Sequence, residues 1–421
     1  MINRRQLLGA FGHGALAAGL VPALMGRALT ARAAAPSPAG RRFLFVVNQG
    51  GWDPLTAIAP KFGASRITMP LGALPATVGG VPIVDHALRP SVRAFFERWG
   101  ARTLVLHGVS VRSVAHDVCQ VTMMTGQATG GAPDVATRLA RLGEGDALPH
   151  LVVAGPTYPG PLGSLVARSG ASGQLQALVT GELLGAVDSP VDGPSRAAGR
   201  VIDDFVRRRT DAFVAAAPTA RRQALASALA RATRLEDLQW DMSLAADGSF
   251  GGQIDVAVEA LARGVARCVT VSPPVSWDTH TDSDNQQSQL WELLFAGLAR
   301  VMGRLSAAAS PAGENRKLLD DVVVVVLSEM ARTPQLNADQ GRDHWPWTSA
   351  LVIGDGITGG RVVGGYDPGY AGQGVDPATG ELDEAAPAPS PAALAATLLQ
   401  LADLDPGVMG PGVVPLTGVL A

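Results

Sequence analysis

Hydrophobic positions along this chain fall in short unbroken runs, each ending on polar or glycine-rich residues. Val322 to Leu327 is five valines and a leucine, running straight into Ser328 and Glu329. Phe43 to Val47 ends in Asn48-Gln49-Gly50-Gly51-Trp52-Asp53. Thr103 to Leu106 is followed by His107 and then by His116-Asp117, and Cys268 to Val271 by Ser276-Trp277-Asp278-Thr279-His280. Runs that short, with no period-two alternation, predict strands covered on both faces, as in a parallel sheet between helices. Leu290, Leu293, Leu294, Leu298, Val301, Met302 and Leu305 recur at helical spacing and predict the crossover helix that feeds the valine strand. Pro391 to Leu401 predicts a last helix. The expected fold is therefore α/β, with a central, mostly parallel sheet flanked by helices.

One stretch departs from this rhythm. From about 156 to 255, Gly/Pro-rich loops give way to an Ala/Arg-rich amphipathic region near 195–240, where Leu225, Leu229, Leu235 and Leu238 lie at roughly helical spacing. It predicts a helical cap or insertion, with ordinary crossover helices as the alternative, inside a single domain over 34–421. The first 33 residues read as a targeting segment. Arg4-Arg5 precede a weakly apolar stretch broken by His13, Pro22 and Arg27, and Ala31-Arg32-Ala33 offers a small-x-small cleavage site. The arginine pair looks like a twin-arginine signal, which names the twin-arginine translocase as a partner during export, a periplasmic or secreted location, and no stable membrane span in the mature form.

Composition narrows the classes further. With 421 residues, 47% of them hydrophobic, the chain has ample material for a large core. Removing the four arginines of the first 33 residues takes the formal charge from −3 to −7, which argues against nucleic acid as a partner. Two cysteines, Cys119 and Cys268, are too few for a disulfide framework; Cys268 is expected to pack as a small apolar residue, a single bridge being the alternative.

The chemistry gathers after the strand runs. Ligands of open α/β sheets bind at the carboxyl ends of the strands, and adjacent parallel strands would bring these distant segments together. Asp53, Asp278, His280, Glu329 and His344 supply three carboxylates and two imidazoles, with His116 and Asp343 as additions. Carboxylate oxygen with imidazole nitrogen suits Zn, Mn or Fe, and a carboxylate-dominated subset suits Mg or Ca. Trp345 and Trp347, bracketing Pro346 after His344, are candidates to stack on a substrate or to pack in the core.

Taken in order, Gly50-Gly51-Trp52-Asp53, Ala115-His116-Asp117 with Thr125-Gly126, Trp277-Asp278-Thr279-His280, Ser328-Glu329-Met330-Ala331-Arg332-Thr333-Pro334, Gly341-Arg342-Asp343-His344 and Gly359-Gly360 resemble the DUF1501 proteins. That family is exported by the twin-arginine route and is similar to the alkaline phosphatase and sulfatase superfamily. The resemblance implies an alkaline-phosphatase-like sheet with one or two divalent metal ions above the strand ends. It implies that Asp53, Asp278, His280, Glu329 and His344 bind metal. It also marks departures: Ala115 stands where relatives carry serine, Met330-Ala331 where they carry Phe-Gly, and Trp345 where they carry glycine. Ser110, Ser113, Cys119 and Thr56 are the alternative nucleophiles.

Two functions follow as expectations. One is a metal-dependent hydrolase of small-molecule or polymer-borne anionic esters, phosphate or sulfate, with Arg332 neutralising the anion and His116 beside it as catalytic residues. The other is a catalytically degenerate exported protein that keeps the fold and binds or builds.

Overall fold

The computed structural model describes residues 40–421 apart from 171–174, 177–195, 217–218, 238–242, 245 and 314. The targeting segment and Leu238 of the cap stripe lie outside the described residues. Twelve described strands are numbered in chain order: β1 Arg42–Asn48, β2 Leu74–Val78, β3 Val81–Asp85, β4 Thr103–Ser110, β5 His150–Val152, β6 Val166–Arg168, β7 Cys268–Val271, β8 Val322–Ser328, β9 Ala331–Arg332, β10 His344–Trp345, β11 Trp347–Ile353 and β12 Arg361–Val363.

Eight of them form one sheet in the order β12-β4-β11-β8-β1-β7-β5-β6. Every pairing in it is parallel except those of β11, which runs against both β4 and β8. The valine strand and β1 lie side by side at the centre, in a register that sets Asn48 against Ser328. Alternate residues of both strands point to opposite faces. Leu44, Val46, Val322, Val324 and Val326 join one hydrophobic cluster, and Phe43, Phe45, Val47, Val323, Val325 and Leu327 join the other. This is the physical reason for runs with no polar alternation: neither face meets water.

Helices Pro90–Trp99, Phe250–Ala262 and Ser283–Ala307 supply buried residues to the first cluster, and His116–Thr125, Val135–Leu139 and Pro391–Leu401 to the second. The result is a mixed α/β protein with a large, mostly parallel sheet between helices. The 156–255 stretch is of mixed character. Helices Arg196–Ala216 and Ala220–Asp237 fall in its amphipathic part, but Val166–Arg168 joins the edge of the sheet as β6. Leu235 of the expected stripe is buried, whereas Leu225 is exposed. Both cysteines are free and buried, so no bridge joins them. No helix among the described residues is long and apolar enough to cross a membrane.

Candidate metal centre

The sheet order brings the predicted segments to one edge. Glu329 follows β8, Gly50 to Asp53 follow β1, and Asp278 and His280 follow β7, on three adjacent strands. His116 opens the helix after β4. His344 arrives from the opposite direction: it precedes β11, whose first residue, Trp347, pairs with the last residue of β4, Ser110. One reversed strand thus delivers its amino-terminal histidine to the carboxyl edge of its neighbours.

There the three imidazoles converge. Nε2 of His344 lies 3.1 Å from Nε2 of His116 and 3.1 Å from Nε2 of His280. Oδ1 of Asp278 lies 2.9 Å from His280 Nε2, 3.3 Å from His344 Nε2 and 3.5 Å from His116 Nε2. Each ring is braced from behind. His116 Nδ1 faces Glu329 Oε1 at 2.9 Å, His280 Nδ1 faces Asp343 Oδ1 at 3.0 Å, and His344 Nδ1 faces the Val114 carbonyl at 2.7 Å. An oxygen acceptor opposite Nδ1 holds the neutral ring's proton there and turns its Nε2 lone pair inward. Imidazole lone pairs packed this closely against His344 Nε2 and a carboxylate oxygen repel unless a cation sits between them, so the donor set fits a divalent metal. His116, Asp278 and His344 offer ligand atoms all within 4.8 Å of one another.

Asp278 is ready as an anion. Burial works against its ionisation, but hydrogen bonding and charge from Arg332, with His280 and His116 adding to them, lower its pKa to about 2. The Glu329 carboxylate raises the His116 pKa against the opposing effect of burial.

The other expected site residues have different surroundings. Glu329 is buried behind His116, on the far side of that ring from the convergence, and its Oε1 also accepts from Gly50 N at 2.7 Å. Asp53 is fully buried and caps helix Pro54–Ala57 by accepting from Leu55 N and the Thr56 hydroxyl. Its Oδ2 approaches Arg342 Nε at 3.1 Å, an ion pair without hydrogen-bond alignment, and burial outweighs that guanidinium to leave its pKa raised. Arg332, expected to meet a substrate anion, is fully buried. It donates to the carbonyls of Gly50, Gly51 and Arg342 and to Asp278 Oδ1 at 2.6 Å, so it grips a site residue and the turn after β1. His107, one of the histidines that follow strand runs, sits inside β4, bonded to Ser349 and held neutral by burial.

Sequence reasoning missed the anchors. Trp52 and Trp277, one from each of two motifs, are fully buried and pack around Trp291, with ring centroids 4.9 and 5.2 Å from it. Fixing these indoles fixes the backbone that presents Asp278. Gly50 makes the approach possible: a Cβ there would stand 2.6 Å from Asp278 N, and its φ of +109° belongs to glycine. Trp345 and Trp347 pack, partly buried, against the cluster holding Tyr366 and Tyr370, and Trp345 Nε1 donates to the Tyr370 carbonyl.

A family model described as "Protein of unknown function (DUF1501)" matches residues 101–409. The chain belongs to the DUF1501 family. No curated protein matches it. Among solved structures, the PH0037 protein from Pyrococcus horikoshii is similar at 11% identity over 75% of this chain and 86% of its own, with a TM-score of 0.32. A protein in the alkaline phosphatase superfamily from Vibrio parahaemolyticus is similar at 11% identity over 86% and 67%, with a TM-score of 0.34. The DUF1501 match takes in His116, Asp278, His280, Glu329, Arg332, Asp343 and His344, while Asp53 precedes it.

In this DUF1501 protein the positions expected to carry a nucleophile offer little reactivity. Ala115 is the N-cap of helix His116–Thr125 and makes no side-chain cap bond. Thr56 is fully buried and hydrogen-bonded to Asp53, and burial pushes the Cys119 thiol up to about 11, far from the reactive thiolate.

Proposed function

We propose that this protein is an exported, metal-dependent hydrolase of phosphate or sulfate esters whose metal is held by His116, His280, His344 and Asp278. What supports the reading is one observation: His116 Nε2, His344 Nε2 and Asp278 Oδ1 lie within 4.8 Å of one another, with His280 Nε2 2.9 Å from Asp278 Oδ1 and 3.1 Å from His344 Nε2, and each ring has an acceptor behind it. Carboxylate, carboxylate and carbonyl braces of this kind orient ligating histidines and raise their basicity. A set richer in imidazole than in carboxylate favours Zn, Mn or Fe over Mg and Ca. Relative to the expected ligand set, His116 takes a ligand's place, and Glu329 and Asp53 leave it for bracing and capping.

The bound metal would supply a Lewis acid that draws electron density from an ester oxygen. The chain's own residues do the rest. Asp278 stays ionised at physiological pH and contributes the negative charge of the ligand set. Arg332 acts on Asp278 as a positioning residue, holding Oδ1 while it binds the turn that carries Gly50. Glu329, joined to both Gly50 N and His116 Nδ1, keeps the His116 ring aligned. Ala115 offers no hydroxyl, so no covalent ester forms at that position and water must attack directly.

The same alanine supports the second reading, a catalytically degenerate member that retains the centre for binding. Purified mature protein, assayed on aryl phosphates and sulfates with and without added Zn or Mn, separates the two. Weak, metal-dependent turnover that rises in Ala115→Ser is the expected result. Turnover on the order of 1 per second or faster in the unaltered protein would show that position 115 is not where the nucleophile acts. Absence of any metal-dependent turnover, with metal bound, leaves the degenerate reading.

A further inference from the structure

Next to the centre, over the carboxyl ends of β1, β5, β6 and β7, lies a cavity of about 340 Å³, a volume typical of small-ligand sites. Gln49, Ser169, Gln253 and Ser272 give it polar walls, and the consecutive Pro273 and Pro274 an apolar one. Among the described residues that line it, none is ionisable. It shares its frame with the centre. The Gln49 amide donates to Ser272 Oγ at 3.1 Å and accepts from Gln120 at 3.2 Å, and Gln120 belongs to the helix that His116 opens. The Gln49 carbonyl accepts from Trp277 N, while the next residue, Gly50, donates to Glu329.

A second observation points to a ligand. Ser169 is fully buried, and its hydroxyl has no hydrogen-bond partner. A buried hydroxyl left unpaired is destabilising, so its retention at a cavity wall calls for a partner that arrives from outside. We infer that this cavity binds an uncharged polyhydroxylated group, of which a sugar ring is the type. Its hydroxyls meet Ser169 and the Gln49–Ser272 pair, and its C–H face lies on the two prolines. Hydroxyl groups both donate and accept, which suits serine and amide walls, and a charged group would find no counter-charge there. Resting on the function proposed above, the substrate is then an anionic ester of a sugar or polyol, with the ester at the metal and the ring in the cavity.

The test is direct binding, without chemistry. Saturation-transfer NMR of the full mature protein with methyl glucopyranoside, methyl galactopyranoside and myo-inositol should show saturable binding of at least one. Ala246→Trp, which fills the cavity from its wall, should abolish it. Ser169→Ala should weaken it roughly tenfold, the loss of one good hydrogen bond, while leaving the melting temperature of the free protein unchanged or higher, since an unpaired hydroxyl is removed. His344→Ala, depleted of metal, should bind the same polyol as before. Binding by none of the three probes, or binding untouched by Ser169→Ala, overturns the inference. Metal content from elemental analysis is read separately: metal without polyol binding removes the cavity assignment alone, and polyol binding without metal removes the hydrolase reading alone.

Discussion

Glu329→Gln distinguishes a brace from a ligand, because the two roles predict losses of different size. Glu329 Oε1 is shared between Gly50 N at 2.7 Å and His116 Nδ1 at 2.9 Å, and Oε2 accepts from the Ser328 hydroxyl at 3.1 Å. Glutamine keeps one acceptor oxygen, so the Gly50 turn has a partner still, but the negative charge behind His116 is gone. Loss of such a brace lowers metal affinity about 10- to 100-fold, equivalent to roughly 1.4–2.8 kcal/mol. His344→Ala instead deletes a donor atom from the convergence and should leave little metal after dialysis. Asp343→Asn, whose carboxylate braces His280 but is 60% exposed, should fall at or below the lower end of the range. Competition against a chelator of known affinity, followed by elemental analysis, measures all three. If Glu329→Gln empties as completely as His344→Ala, Glu329 binds the ion itself and the tautomer argument fails. If His344→Ala holds metal like the unaltered protein, the centre is elsewhere.

Three further outcomes are expected. Gly50→Ala should unfold the protein or deplete its metal, since its Cβ would stand 2.6–2.7 Å from backbone nitrogens of Trp277 and Asp278; a soluble variant with normal metal content would contradict this close approach. Burial lowers the His107 pKa from 6.5 to about 3, so protons bind the unfolded chain preferentially in that window. Stability is then full above pH 6.5 and falls as pH drops towards 3, by at most about 1.4 kcal/mol per pH unit; His107→Gln should show a flatter urea midpoint against pH, and an identical slope would refute the burial argument. Lysine at both Arg4 and Arg5 should strand precursor in the cytoplasm, whereas normal appearance of mature protein outside it would point to the general secretory route.

Much of the fold is legible in the sequence because burial on both faces leaves an unmistakable trace. The runs Phe43 to Val47, Cys268 to Val271 and Val322 to Leu327 became β1, β7 and β8 with at most one residue added at either end, and Pro391–Leu401 is the last helix. Edge strand β6 was hidden, since three residues carry no period and a strand paired on one side need not be apolar. The same runs also marked the edge that Asp278 and His280 reach, as strand ends in a parallel sheet point one way, whereas His344 comes to it ahead of the antiparallel β11.

What each residue does there was decided by tertiary structure alone. In sequence, Asp53 and Asp278 each follow a tryptophan after a strand run and are equivalent. In space, one faces three imidazoles, and the other is enclosed by Arg342 and the first turn of a short helix. Likewise, nothing in the spacing of Glu329 tells whether it meets a ligand nitrogen or the nitrogen behind it. That depends on which side of the His116 ring the carboxylate reaches, a matter of a few ångströms set by the Gly50 turn and the packing of Trp52, Trp277 and Trp291. Sequence determines which residues reach a common edge, because hydrophobic burial acts over whole strands. Donor geometry is fixed by side-chain packing and hydrogen bonds between segments more than fifty residues apart, and local pattern holds no record of it.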